Sequence, residues 1–511
     1  MKSLRLIKLF GASLDGVDPF PVSVEINIKR GIPRFAITGL AAAVIKESGD
    51  RIRIAIENSG FDYSLCNILV HLSPAGRKKE GTYLDLTIAT GILALTGQLQ
   101  EPERLETFLI LGELGLDGSI LPIKGILPIL LSLARSHFSG AIVPWANKEE
   151  ASVQEKIPIY AISQLKDLQV LLKGGISREP KRNVKSHVEN SPERIDLYKS
   201  QLPALRALQI ACAGFHHCLL SGSPGTGKTM LARLAYSLLP NPDESEAIEL
   251  LAFRSFQENT KNRNVKRPFR NPHHTASDIS LVGGSIHLKM GEVSLASHGI
   301  LFLDELSEFS SRNLQALREP MEEGRITIAR ISGSVTYPAS FLLLGATNLC
   351  PCGYYGSSVR ICTCSLSSIR NYQAPFSGPF LDRIEIFYHL SLPRAREEKT
   401  VSVDLKKIRE SIALAAFLQK RRLYKQIGKL YNGRLRGEEV EAFIPLSEVC
   451  NDFLMSASAQ EKFSIRKLSH AKKVARSIAD LEGSEGIELK HLEEALVFLN
   501  SGWSPENRAV S

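Results

Sequence analysis

The chain has 511 residues, of which 43% are hydrophobic and 23% charged. That balance excludes a mainly disordered, collagenous or disulfide-scaffold protein, and at ~150 residues per domain it allows roughly three domains. The formal net charge is +9, a surplus compatible with a polyanionic partner but not a demonstration of one.

The opening stretch MKSLRLIKLFGASLDG has no sustained apolar core and no small-residue cleavage site. Neither a signal peptide nor a membrane span is expected. Eight cysteines in such a chain point to a reduced, cytoplasmic setting. Residues 1–172 alternate short apolar runs (Val22–Ile28, Asn67–Leu72, Gly140–Val143) with helical patterns (Ala41–Glu57, Leu84–Leu95, Ile126–Arg135), which predicts a mixed α/β domain. Residues 173–194 are polar, basic and without apolar periodicity, and are taken as a linker. From 195 to 393 strands and helices alternate as in a wound parallel sheet. Residues 394–500 carry helical patterns at Lys406–Leu423, Leu446–Ala457, Ser464–Leu481 and Leu489–Leu499, and 501–511 read as a tail.

The most specific signal is GSPGTGKT: Gly222, Ser223, Pro224, Gly225, Thr226, Gly227, Lys228 and Thr229. It follows a short apolar run and precedes a helical pattern, the strand–loop–helix setting of a phosphate-binding loop. Glycines let backbone N–H groups wrap a phosphate, the helix N-terminus adds positive potential, Lys228 reaches the terminal phosphates and the Thr229 hydroxyl suits Mg²⁺. GILFLDEL, Gly299–Leu306, then predicts a buried strand with acids at its carboxyl end. Asp304 is expected to hold Mg²⁺ and Glu305 to orient or deprotonate the attacking water. A third strand pattern, Phe341–Thr347, ends at Asn348, which suits a γ-phosphate or water contact and gains weight from its order after the first two motifs.

Cys350, Cys352, Cys362 and Cys364 form C-x-C-x9-C-x-C. Four thiolates suit tetrahedral zinc, with free thiols or a redox pair as the alternatives. The adjacent His273 and His274 suggest a structural role more than a metal site. Between Arg394 and Arg436 stand 13 basic and four acidic residues, a surplus equal to that of the whole chain. Lys420, Arg421, Arg422, Lys425, Lys429, Arg434 and Arg436, interleaved with Tyr424 and Tyr431, are a candidate phosphate-backbone surface. Arg325–Tyr337 reads as strand, turn, strand.

The motif order resembles the AAA+ ATPases, and within them the magnesium-chelatase-like branch, in particular the ComM family linked to natural transformation. The resemblance rests on RPFRNPHHTASDISLVGG (267–284), MGEVSLASHGILFLDEL (290–306), LREPMEEGRITIAR (317–330), NLCPCGYYG (348–356), SGPFLDRIE (377–385) and SIRKLSHAKKVARSIADLEG (464–483). It implies a Lon-protease-like α+β N-terminal domain, an AAA+ P-loop α/β core and a C-terminal helical lid. It also implies a homohexameric ring in which Arg383 serves a neighbour's site as a finger and Arg466 is the sensor 2 arginine, with Asn348 as sensor 1. Two inserted hairpins, Ile286–Ser294 and Arg325–Tyr337, would face the pore, with Lys289, Arg325 and Arg330 on DNA phosphates. In the Lon-like domain the nucleophile position falls at Tyr83 and the lysine position near Leu127, three residues from Lys124, so no peptidase is expected.

The resemblance therefore implies an ATP- and Mg²⁺-dependent ring helicase that promotes branch migration on single-stranded and branched DNA during transformation and recombination, with recombination proteins as possible partners. The alternatives are a chelatase-type ATPase that remodels a partner enzyme and a non-motor ATP-binding regulator.

Overall fold

The computed structural model describes residues 6–499 apart from 30, 43–44, 46, 64–66, 80, 134–137, 181–184, 187–191, 258–263, 285–289, 331–332, 358–359, 377 and 393–398. Contacts divide the chain into two compact units. One gathers residues 1–187, 242–266 and 329–336, the other 188–241, 267–328 and 337–511.

The first unit is built on a mixed seven-stranded sheet. Leu6–Asp15 and Asp18–Lys29 form a long antiparallel hairpin, paired from Leu6↔Asn27 to Asp15↔Asp18 around the two-residue turn Gly16–Val17. Alternate residues of the second strand are buried, as period-2 patterning requires. Asn67–Ser73 adds antiparallel on one side, with Arg34–Thr38 parallel beyond it. Phe108–Ile110, Gly140–Pro144 and Ile159–Ile162 extend the other side in parallel.

The helix Asp85–Leu95 is apolar all round, and its first ten residues are buried. Its one acid, Asp85, receives Arg51 Nε at 2.7 Å. Burial nevertheless pushes the Asp85 carboxyl up to about 6 against the pull of Arg51. The helix expected over Ala41–Glu57 runs instead from Ser48 to Asn58, while Ala41 bridges to Lys79. Within the expected linker, Lys185–Ser186 pairs in parallel with Asn264–Val265 and Arg194 opens a strand.

The second unit holds a five-stranded parallel sheet in the order Phe269–Arg270, Ile300–Leu303, Leu342–Thr347, Cys218–Gly222, Ile386–Leu390. Its three middle strands are buried at every position, the pattern of a sheet covered on both faces. The four lid helices are Leu405–Ile427, Glu448–Glu461, Ile465–Glu482 and Leu489–Leu499, each close to its expected span. Ile465–Glu482 starts where Ser464 accepts from Lys467 N and stops at Gly483 in the left-handed region. Its face His470, Ala471, Val474, Ala475 and Ile478 packs into the core at helical spacing. Among the described residues no helix is long and apolar enough to cross a membrane.

One buried ion pair ties sheet to lid. Glu385 Oε1 takes Lys473 Nζ at 2.8 Å and Oε2 takes the His217 backbone N–H at 2.9 Å. Burial alone would raise this carboxyl, but Lys473 and the nearby histidines hold it well below the usual carboxylate range. Removing one partner leaves an uncompensated buried charge. Lys473→Met is thus expected to lower stability by about 3–5 kcal/mol in urea unfolding, with much of the loss recovered in Lys473→Met/Glu385→Gln. A loss under ~1 kcal/mol in the single variant would contradict this.

Candidate nucleotide site

The site lies at the carboxyl ends of three neighbouring strands of the parallel sheet, where such sheets bind ligands. Cys218–Gly222 runs into the phosphate loop, Ile300–Leu303 into Asp304 and Glu305, and Leu342–Thr347 into Asn348. The pairings Ser221↔Thr347 and Leu303↔Gly345 bring these ends level.

The loop is held from within and from outside. Thr226 Oγ1 donates to Ser223 O at 2.9 Å, and Gln201 Nε2 donates to Thr226 O at 3.1 Å. Gly227 has a φ of 91°, a left-handed conformation that favours glycine, and a Cβ there would press on Gln201 Nε2 at 2.9 Å. The helix Lys228–Leu238 follows, buried along Leu231, Leu234, Ala235 and Leu238, and its N-terminus faces the loop.

Lys228 Nζ donates to Gly222 O at 2.6 Å, Ser223 O at 3.0 Å and Asn348 Oδ1 at 3.1 Å. Burial pulls this ammonium down to about 8 even though Asp304 favours its charge. Thr229 Oγ1 donates to Asp304 Oδ2 at 2.9 Å, so two hard oxygen donors converge. Gly222, Ser223, Thr226, Lys228 and Asn348 are thereby joined by hydrogen bonds, with the Thr229–Asp304 pair beside them.

Glu305 sits in a left-handed conformation with φ 50°, a strain of about 1–3 kcal/mol of the kind concentrated at functional sites. Its carboxylate is mostly exposed and lies 3.4 Å from His274 Nδ1. The His273 and His274 rings lie against each other at a tilt of 35°, centroids 4.1 Å apart. The string that carries these histidines is clamped by two arginines, the buried Arg267 and the half-exposed Arg270. Arg267 donates to Pro240 O and His298 O, each at 2.6 Å, and Arg270 grips Glu292 with two bonds of 2.6 Å. The contact between His274 and Glu305 joins residues far apart in the chain, and the sequence reading of the pair as structural did not contain it.

Arg383 and Arg466 meet elsewhere. Both bond the carboxylate of Glu322, Arg383 Nη2 at 2.8 Å to Oε2 and Arg466 to Oε1. They line a cavity of about 890 Å³ with Glu322, Lys472 and Lys473. No residue of the phosphate loop, nor Asp304, Glu305 or Asn348, is among its described walls. Glu322 is a residue that motif reading passed over; its only signal is an acid inside LREPMEEGR.

Of the expected DNA residues, Lys289 lies outside the described residues. Arg325 is exposed, 3.6 Å from Glu323, and Arg330 closes the strand Arg325–Arg330, which pairs with Gly333–Pro338 as expected. Of the other expected hairpin, Ile286–Ser294, residues 286–289 lie outside the described residues. Gly283 and Met290 do bridge antiparallel, but Glu292–Leu295 is a helical turn that places Glu292 on Arg270.

The basic lid segment is also reduced. Arg422 is spent on Asp480 at 2.8 Å, Arg434 on Phe341 O at 2.5 Å, Arg436 on Glu323 at 3.3 Å, and Lys429 on Glu439. Tyr431 is stacked on Phe215. Lys420, Arg421 and Lys425 remain exposed on the helix. In the first unit, Tyr83 packs beside an apolar cluster and Leu127 is fully buried, so neither position presents an acyl-transfer group.

Residues 196–399 match the family described as magnesium chelatase, subunit ChlI; 24–147 match subunit ChlI of Mg-chelatase; 403–498 match the ChlI C-terminal family. Competence protein ComM of Haemophilus influenzae is 38% identical over 507 residues, covering 96% of this chain and 97% of its own. The uncharacterized protein YifB of Escherichia coli (strain K12) is 35% identical over 488 residues, 94% of this chain and 95% of its own. A Lon protease of Aquifex aeolicus is 28% identical over 170 residues, 31% of this chain and 21% of its own.

The Lys228 ammonium is charged below about pH 8 and neutral above it. Its attraction for a triphosphate is therefore complete at pH 7 and fades as pH rises. The Kd of a non-hydrolysable ATP analogue is expected to stay flat up to neutrality and then rise by up to about tenfold per pH unit past pH 8. A flat profile to about pH 9.5 would show that the loop binds phosphate without this charge.

Proposed function

The chain belongs to the ComM family of magnesium-chelatase-like AAA+ ATPases, and on that premise we propose an ATP-driven homohexameric ring motor that acts on DNA. Lys228 binds the β- and γ-phosphates, the loop amides cradle them, and Asn348 orients the γ-phosphate or the lytic water. Glu305 takes the proton of that water. Thr229 and Asp304 offer the hard oxygens that Mg²⁺ prefers, and their convergence at 2.9 Å fits such an ion. The ion supplies charge neutralisation on the phosphates.

The observation that carries the ring is the separation of Arg383 and Arg466 from the phosphate loop. Both arginines point into a cavity that no loop residue lines, and Glu322 holds them side by side. In a ring of head-to-tail copies, that arginine face meets the loop face of the next copy and completes its site. Hydrolysis at each seam then moves the inserted hairpins, with Lys289, Arg325 and Arg330 on the phosphate backbone and Lys420, Arg421 and Lys425 as a further basic surface.

The relative named a competence protein supports a role with incoming DNA: helicase-driven branch migration on single-stranded and branched substrates, in the cytoplasm and alongside recombination proteins. The chelatase family matches favour one alternative, a motor that remodels a partner protein.

ATPase rates with and without single-stranded and branched DNA separate these readings. The expected result is stimulation by DNA and strand displacement, with Glu305→Gln lowering kcat by about 100-fold or more while ATP still binds. Neither stimulation nor displacement in the wild type would discard the DNA motor.

A further inference from the structure

The four cysteines after the sensor strand lie in the second unit and form a compact group. Cys350, Cys352, Cys362 and Cys364 each offer a sulfur, all within 4.8 Å of one another. Three separations are 3.4 Å (Cys350–Cys352), 3.7 Å (Cys350–Cys362) and 3.5 Å (Cys352–Cys362). A tetrahedron with ~2.3 Å metal–sulfur bonds has edges of about 3.8 Å, close to these values and well beyond the ~2.05 Å of a disulfide. The loops are shaped to present sulfur inward. Tyr355 N donates to Cys350 Sγ at 3.3 Å, and Cys364 N donates to Cys362 Sγ at 3.4 Å. Backbone N–H groups aimed at sulfur stabilise thiolates, the form that binds metal.

The group is also wired to the nucleotide site. Cys350 stands two residues after Asn348, whose Oδ1 accepts from Lys228. Gly353, with φ 82°, turns the chain between the first cysteine pair and the second directly against the phosphate loop: a Cβ there would lie 2.6 Å from Pro224 Cδ. After Cys364, Ser365 caps the helix Leu366–Gln373, and Gln373 Nε2 returns to Leu349 O at 2.7 Å. Both ends of the cysteine segment are thus tied to the end of the sensor strand, and its first turn is tied to the loop.

We propose that Cys350, Cys352, Cys362 and Cys364 bind one zinc-class divalent cation as a tetrathiolate, and that this knot is a strut that holds Asn348 and the Gly353–Pro224 contact against the phosphate loop. Binding forms four metal–sulfur bonds and releases the thiol protons to solvent, with no change of oxidation state. The strut half of this proposal rests on the nucleotide-site reading; the metal half does not.

Full-length protein purified under reduction and without a metal-affinity tag is analysed for metal content. About one zinc per chain is expected, lost in Cys362→Ser/Cys364→Ser. Chelation followed by Co²⁺ should give the sulfur-to-cobalt charge-transfer absorption of a tetrathiolate, a readout that stands even where the double variant fails to fold. Less than about 0.2 metal per chain with no stoichiometric Co²⁺ uptake overturns the metal site, as does a disulfide among these cysteines in the reduced, freshly purified protein.

Gly353→Ala tests the strut without touching a thiol. Metal content should be retained while the Kd of a non-hydrolysable ATP analogue rises about tenfold. An unchanged Kd overturns the strut and leaves the metal site. A wild type that holds the metal yet binds no nucleotide fails the nucleotide-site reading instead.

Discussion

A lysine ammonium held half out of water is the constraint around which the second unit is organised. Lys228 is desolvated enough to sit near a pKa of 8, with Asp304 favouring its charge, and its ammonium donates to three oxygens. Two come from the backbone of its own loop and one from Asn348 at the end of the neighbouring strand. That geometry holds only while the buried strands keep their register, in which Leu344–Ala346 face Cys218–Leu220, every one of them buried. Packing is thus what aims the charge. A polyanion entering the loop would replace weak dipole acceptors with full negative charge.

Glu322 poses the complementary situation. One carboxylate neutralises two arginines, and Arg383 keeps a buried Nε without a hydrogen-bond partner among the described residues. A buried donor left unmade costs about 1–3 kcal/mol. Under the proposed ring, the phosphate of the next copy competes with Glu322 for the same two guanidiniums. The cluster behind them, with Glu385 and Lys473 fully paired, stays fixed and gives the exchange a rigid backing. The strained Glu305 keeps His274 as its neighbour at 3.4 Å, where the proposed mechanism needs a water positioned.

Much of this was legible in the sequence because its signals are local. GSPGTGKT carries its own strand, turn and helix start within a dozen residues, and the acids after Ile300–Leu303 announce a strand end. The four lid helices were legible for a similar reason, since apolar residues at helical spacing such as Ala471, Val474, Ala475 and Ile478 mark one buried face. What failed was long-range. The strand Leu6–Asp15 hides its alternation behind buried small residues, Gly11, Ala12 and Ser13. Within the dense charge of the lid, the pairing of Arg422 with Asp480, 58 residues away, is invisible to a local reading. The placement of 242–266 with the first unit depends on Ala247, Leu251 and Ala252 packing on Leu127 and Val153, partners no local window contains.

The central claim is that one copy's loop face and another's arginine face make a single site, and mixing two defective proteins tests it most directly. Lys228→Ala lacks a working loop and Arg383→Ala lacks a working arginine face, so each alone should hydrolyse ATP poorly. Random equal mixing in a ring leaves about a quarter of the seams with both parts intact, and ATPase activity should recover to roughly that share of wild type. A mixture that never exceeds the mean of its two components would show that each copy works alone, and the shared-site account would fail.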